Sequence, residues 1–505
     1  MSAAETKWER IDQLLEWGGE KVNPILVKEA RQALKSNHFV LTFLLLLICA
    51  WGWSFMGILA QMPDIQFNGG GLTMLQGYFI VLLVPLLLVV PFAAFRSLAS
   101  EREDGTFELM SITTLNATQI VVGKLASTLL QVMLYTSALA PCIAFTYMLR
   151  GVDVVTIVFV IYYTVVISVL LSITALLVAT LSRSRHWQVL LSILLLLGLF
   201  LILWTWGLFV FEAVFEEGLF QVSGEPAFWL VQFALACGYV SLGVLMVQAA
   251  ASRITFASDN RSTRQRITVL VQHAMLIGWV VYFFSDSREV EFVYVLASLA
   301  AIWGGFTGSL MIGESPQLSA RVIRSLPSTP LGRILFTLLN PGSGAGYLFT
   351  CANLTAVAAI AIAMGFTSYL MGSTIQTEWL AFTLLVWSYV TGYLGVSRLV
   401  ILALRRISRV PELLSIIIVA IMASAGIAAP LALEAAARGL ARFDYTALQV
   451  TNWVWTLEQA GRMNMLVSHP EVVVTTLVFA CLMLVVNALL SNQELAPVRT
   501  DDSSP

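Results

Sequence analysis

Charge is what this chain has least of: 28 Lys and Arg and 30 Asp and Glu among 505 residues, 11% in all, for a formal net charge of −2. No basic tract is long enough to track a phosphate backbone, so no nucleic-acid partner is expected. Cysteine is scarce too. Cys49, Cys142, Cys237, Cys351 and Cys481 fall inside apolar runs without paired spacing, and read as small core residues, neither a disulfide framework nor a metal site. The four histidines, His38, His186, His273 and His469, lack metal-ligand spacing and read as interfacial residues. No Gly-x-x-x-x-Gly-Lys-Ser/Thr phosphate loop occurs, since Gly123-Lys124 lacks the upstream glycine and is followed by Leu125. ATP hydrolysis is therefore not expected of this chain. Gly342-Ser-Gly344-Ala-Gly346 has no strand before it and reads as a flexible helix start, not a nucleotide loop. No Ser-His-Asp or paired-carboxylate arrangement can be argued, and no cofactor is expected.

What is abundant is apolar length. The chain is 58% hydrophobic with a mean hydropathy of +0.84, far from soluble norms. Runs of twenty or more apolar residues recur, each able to cross a bilayer core of about 30 Å. Spans are expected near Phe39–Ala60, Leu72–Phe95, Ile120–Leu149, Val154–Leu181, Val189–Phe211 and Phe228–Ala250. A second set follows near Ile267–Phe284, Phe292–Gly313, Tyr347–Met371, Trp379–Leu404, Leu413–Leu433 and Val472–Leu490. The fold class is all-α membrane protein, with about twelve transmembrane helices. Residues 1–38 read as a polar, amphipathic surface segment with no signal-peptide form, broken at Gly18-Gly19 and Asn23-Pro24. Residues 251–266 read as a basic linker and 491–505 as a tail.

Lys and Arg cluster in alternate loops, at Lys28, Arg31 and Lys35, at Arg96 and Arg102, at Arg183 and Arg185, and at Arg253, Arg261, Arg264 and Arg266. Arg321, Arg324 and Arg333, then Arg405, Arg406 and Arg409, continue the alternation, whereas Gln61–Gly71 and Glu212–Ala227 carry none. The positive-inside rule then puts both termini in the cytoplasm. The long loops repeat as well. Arg96–Gln119 and Glu314–Gly346 follow the second span of each half, and Glu212–Ala227 and Glu434–Glu471 follow the fifth. Two parallel six-helix halves, 39–250 and 267–490, are expected.

Inside the spans charge is nearly absent, which disfavours an ion-coupled carrier; Lys124 is expected to snorkel from an interface. Pro85, Pro91 and Pro141 should bend the second and third spans, either as packing irregularities or as moving bends. In Glu212–Ala227, aromatic and apolar residues interleave with glutamates. That suits an amphipathic helix dipping into the outer interface, and equally an ordinary solvated loop.

The densest charged stretch between two spans is Ser100–Lys124. Ser100 with Glu103 has the form of a capping box, Gly105 suits a helix C′ position, Thr106 can cap a second turn, and Asn116 with Gln119 opens the next span. These signals predict a broken, amphipathic helix at the membrane surface. The order Glu101-x-Glu103-x-Gly105-Thr106-x-Glu108-Leu109, a Thr-Leu pair and Gly123-Lys124 resembles the cytoplasmic coupling segment of type-2 ABC transporter permeases. Asn23-Pro24-Ile-Leu-Val-Lys-Glu29 resembles the leading segment of the same family, and the likeness covers roughly Asn23–Ala250. The family pattern has Pro and Ser where this chain has Thr114 and Asn116.

The resemblance implies a membrane subunit of an ATP-driven exporter, in a prokaryotic inner or plasma membrane, served by a separate ABC ATPase present as two copies or a heterodimer. The coupling segment would comprise Glu101, Glu103, Asp104, Gly105, Thr106, Phe107, Glu108 and Leu109, with short cytoplasmic coupling helices. Arg321, Arg324 and Arg333 are the second-half coupling candidates. The family also places gate helices between the fifth and sixth spans, which points to Phe215, Glu216, Glu217 and Phe220. Two other classes stay open: a non-transporting anchor or regulator of an ATPase, and a secondary carrier, whose usual Gly-x-x-x-Asp-Arg motif is missing here. Apolar spans without charge are compatible with lipid, drug, peptide or ion as substrate.

Overall fold

The computed structural model describes residues 24–62, 69–103, 116–181, 184–218, 224–255, 259–315, 338–372, 377–408, 410–438 and 445–500. Among them the regular elements are helices, and twelve helices are long and apolar enough to cross a membrane. The protein is thus an all-α, multi-pass membrane protein. Two compact units divide the chain, Met1–Thr255 and Phe256–Pro505.

The first unit opens with the amphipathic helix α1 (Pro24–Lys35). Ser36 ends it and caps the next, its hydroxyl accepting from the Phe39 N–H at 3.2 Å. Six long helices follow: α2 (Asn37–Gln61), α3 (Gly71–Glu103), α4 (Ala117–Met148), α5 (Val154–Ala179), α6 (His186–Glu216) and α7 (Pro226–Ile254). Helix α3 packs on α4 and α5 and makes the buried centre, with Leu86, Leu87, Val90, Leu139 and Leu176 enclosed. The outward face of α2 carries Leu44, Ile48, Trp51 and Phe55, all exposed. In a bilayer such a face meets lipid tails and costs nothing.

Two local expectations are corrected in this unit. The second long helix does not stop at Phe95; it runs to Glu103, so Ser100 sits in its last turn and its hydroxyl points back to the Ser97 carbonyl. A continuous helix satisfies those backbone groups without a new cap. Likewise α6 continues past Phe211 as a π-turn over Val210–Glu216, where an outer-interface helix or loop was expected. Pro85 has no N–H to donate, and α3 carries a π-turn over Pro85–Val89. The Ser168 hydroxyl of α5 donates to the Leu86 carbonyl inside this turn. The Asn116 signal holds: its N–H donates to the Gln119 side chain at 2.9 Å at the start of α4.

The second unit has α8 (Thr263–Ser287), α9 (Glu291–Met311), α10 (Ser343–Leu370), α11 (Glu378–Arg405), α12 (Leu414–Arg438) and α15 (Pro470–Thr500). Its helices pair in the order of the first unit's. Helix α9 packs on α10 and α11 as α3 does on α4 and α5, and α15 packs on α10 and α11 as α7 does on α4 and α5. Gly342 has φ +138°, a backbone that side chains rarely adopt, and it caps α10. A Cβ on Gly346 would lie 2.6 Å from the Met311 Cβ, so only glycine lets α10 approach α9 there. Between α12 and α15 the unit folds a 3₁₀ turn (Ala447–Thr451) and two short helices, α13 (Trp453–Arg462) and α14 (Met465–Ser468).

Candidate functional site

The two long loops after the second helix of each unit carry the sequence's functional signals. Their outer portions, 104–115 and 316–337, lie outside the described residues, and with them Asp104, Gly105, Thr106, Phe107, Glu108, Leu109, Arg321, Arg324 and Arg333. What the structure describes is how each loop is rooted.

In the first unit the root is built around Lys124 of α4. Its side chain is 1% exposed, and its ammonium lies 3.0 Å from a Glu29 oxygen and 2.9 Å from a Glu101 oxygen. It also donates to the Ser97 carbonyl at 3.3 Å. An ammonium has three donor directions, and two carboxylates and a carbonyl surround this one. Burying it without them would cost several kcal/mol. The snorkelling expected of Lys124 is therefore corrected: α1 covers it, and an ion pair replaces the water it would have reached. Lys28 adds a looser contact to Glu101 at 3.4 Å. Beside it Arg102 Nη1 donates to the Thr180 carbonyl at 2.8 Å, a cation on the last carbonyls of α5. Of the described coupling candidates, Glu101 thus turns inward and Glu103 is exposed.

In the second unit the root is built around Arg266 of α8, which is fully buried. Its guanidinium meets Glu314 at 2.6 Å and donates to the Leu338 carbonyl at 2.7 Å and the Gly342 carbonyl at 3.2 Å. The Gly342 N–H donates to Glu314 at 2.8 Å. Arg405 of α11 closes the group from the other side, Nη1 donating to the Glu314 carbonyl at 2.8 Å. The described residues on either side of 316–337, Glu314 and Leu338, therefore meet at one guanidinium. Arg266 entered the sequence reading only as a loop charge, and Glu314 only as the start of a long loop. Asp or Glu ending one span and Arg opening another was the signal available.

A second buried cation was missed altogether. Arg398 of α11 is enclosed, with Nη1 donating to the Asn487 side-chain oxygen at 2.8 Å and to its carbonyl at 3.1 Å. An Arg and an Asn in two otherwise apolar spans were the clue. His273 is buried in α8, its Nδ1 2.9 Å from the Val269 carbonyl.

The gate candidates separate. Phe215 is buried against Phe79 and Phe211, with ring centroids at 5.9 and 5.5 Å in edge-to-face arrangement. Glu216 and Glu217 are exposed at the end of α6, and Phe220 lies outside the described residues. The same end of the second unit is more elaborate. Gln449 donates to the buried Glu434 carboxylate, Asn452 donates to Gln449 at 3.1 Å, and Tyr445 lies 3.0 Å from the Thr456 hydroxyl. Burial pushes the Tyr445 phenol up, with the Thr456 hydroxyl pulling the other way. Among the described residues no group of three His, Cys, Asp or Glu side chains is placed to hold a metal.

No family model, curated protein or solved structure matches this chain.

Proposed function

We propose that the chain is the membrane-spanning permease subunit of an ATP-driven ABC exporter, a fused pair of six-helix units with both termini in the cytoplasm. A separate ATPase, as two copies or a heterodimer, docks on the loops containing 101–109 and 319–333 and hydrolyses the ATP. One observation carries this reading: each loop is rooted by a buried acid–base staple, Glu29–Lys124–Glu101 in one unit and Arg266–Glu314 in the other. A loop held this way transmits a push to several helices at once. A loop on a flexible tether would absorb it. The acidic Gly-Thr order of Glu101–Leu109 supplies the likeness to an ATPase-coupling segment. The two loops differ in charge, so the first carries most of the coupling and the second docks more weakly or to a different subunit.

The test uses the full chain with its ATPase. Alone, the purified polypeptide hydrolyses no ATP. Gly105→Pro or Glu108→Lys abolishes ATPase association and transport while the protein still inserts, and Arg324→Glu lowers them in part. Robust hydrolysis by the isolated chain overturns the proposal. Equal losses from both loops overturn the asymmetry.

A further inference from the structure

Between α9, α11, α12 and α13 the second unit leaves a cavity of about 370 Å³. The inward wall is aliphatic or bare backbone, from Ala301 and Gly305 of α9, Val386 and Val390 of α11, and Val419 and Ala423 of α12. The polar atoms of its aromatic residues are already engaged. Tyr389 donates to the Val450 carbonyl at 2.7 Å, Tyr393 to the Thr451 carbonyl, and Trp453 Nε1 to the Ala423 carbonyl at 3.3 Å. Ser298 is the one lining hydroxyl outside these three bonds. A charged or strongly polar ligand would lose its solvation here and find almost nothing in return. Water fares no better, since a buried water needs two to four polar partners.

The mouth points the same way. Ile302 and Phe306 line it and are 70% and 50% exposed, Ile302 midway and Phe306 one turn further along a helix long and apolar enough to cross the membrane. The opening therefore lies at the depth of lipid tails, with no charged side chain in its lining. The unit also lacks what would fill such a space. In the first unit α3 and α6 meet through Phe79, Phe211 and Phe215. Helix α12 contains no aromatic residue at all, and a Cβ on Gly305 would meet only Val390, at 3.9 Å. An open cavity in a close-packed interior forfeits dispersion contacts that an alkyl chain restores.

We infer that this cavity binds one acyl chain of a bilayer phospholipid, which enters sideways past Ile302 and Phe306 and ends under Trp453. The site needs the membrane but no ATPase, so its fate is separate from that of the coupling proposal.

The full chain is reconstituted in phosphatidylcholine nanodiscs doped with a phospholipid bearing a diazirine midway along one acyl chain. After irradiation, labelled residues are mapped by peptide mass spectrometry. Label is expected on the inward residues Ala301, Val386 and Ala423 as well as on Leu299, which is exposed on the outer face of α9. Gly305→Phe and Ala423→Phe fill the cavity from opposite walls. Each should cut the inward label at least fivefold and leave Leu299 labelling unchanged, which also reports that the variant is folded and inserted. Inward residues left unlabelled in the unaltered protein overturn the proposal. So does inward label that survives both fillings, or label obtained with free photoreactive fatty acid but not with the phospholipid.

Discussion

The two units root their second loops with different charge stoichiometry. In the first, one ammonium sits between two carboxylates donated by different elements, Glu29 of α1 and Glu101 of α3. In the second, the Arg266 guanidinium has Glu314 as its acid and donates through its Nη atoms to the Leu338 and Gly342 carbonyls as well. The first arrangement is redundant in charge and ties in the amphipathic leading helix. The second is not redundant and instead pins both ends of the loop. A compact ammonium suits the first, and a planar fork with five N–H donors suits the second.

The largest expected effect tests that redundancy. Glu314→Gln leaves Arg266 buried without its counter-anion and should cost about 3–5 kcal/mol in detergent unfolding. Glu101→Gln leaves Glu29 on Lys124 and should cost only about 1 kcal/mol, the worth of a single hydrogen-bonded contact. Equal losses would break the comparison.

Next comes packing. Gly346→Ala puts a methyl 2.6 Å from Met311 and should cost about 1–3 kcal/mol by overpacking. In the first unit, Gly207→Ala meets only a Leu83 methyl at 3.6 Å and should be neutral or slightly stabilising, as alanine favours helix. Unfolding midpoints of the two variants check this. If Gly346→Ala is also neutral, α9 and α10 are less tightly held than described.

The smallest effect separates the two equivalent central helices. Ser168→Ala strips the Leu86 carbonyl of its partner in the π-turn and should cost about 1 kcal/mol, with faster amide exchange over 85–90. Ser388 of α11 bonds only the Leu384 carbonyl of its own helix, at 2.7 Å, so Ser388→Ala should change neither measurement. Unchanged exchange in Ser168→Ala would mean that the π-turn stands without Ser168.

Legibility in the sequence followed the range of the interaction. Hydropathy located every long helix, and errors fell where a helix outlasts its apolar run. Helix α3 continues through Arg96 to Glu103 because Lys124 and Thr180 receive Glu101 and Arg102, partners no local window contains. Helix α6 continues to Glu216 because Phe211 and Phe215 have Phe79 to pack against. Of the candidate coupling residues, the sequence reading gave Glu101 an outward role, since acidic residues beside a membrane are usually solvated, whereas its carboxylate sits on the buried Lys124 ammonium. The local Asn116–Gln119 cap, three residues apart, was legible in full.

Twelve apolar stretches, their spacing and the two long loops after the second and eighth helices were determined by the sequence alone, because bilayer crossing depends on local length and hydropathy. Tertiary structure decided which charges meet. Lys124 finds Glu29 across 95 positions and Arg398 finds Asn487 across 89. Tertiary structure also decided that Phe215 points inward and that the space beside Gly305 stays open. Such pairings depend on which helix faces turn together. In an apolar medium that is set by close packing of small and large side chains across helices, and no periodicity within one helix encodes its neighbour's side chains.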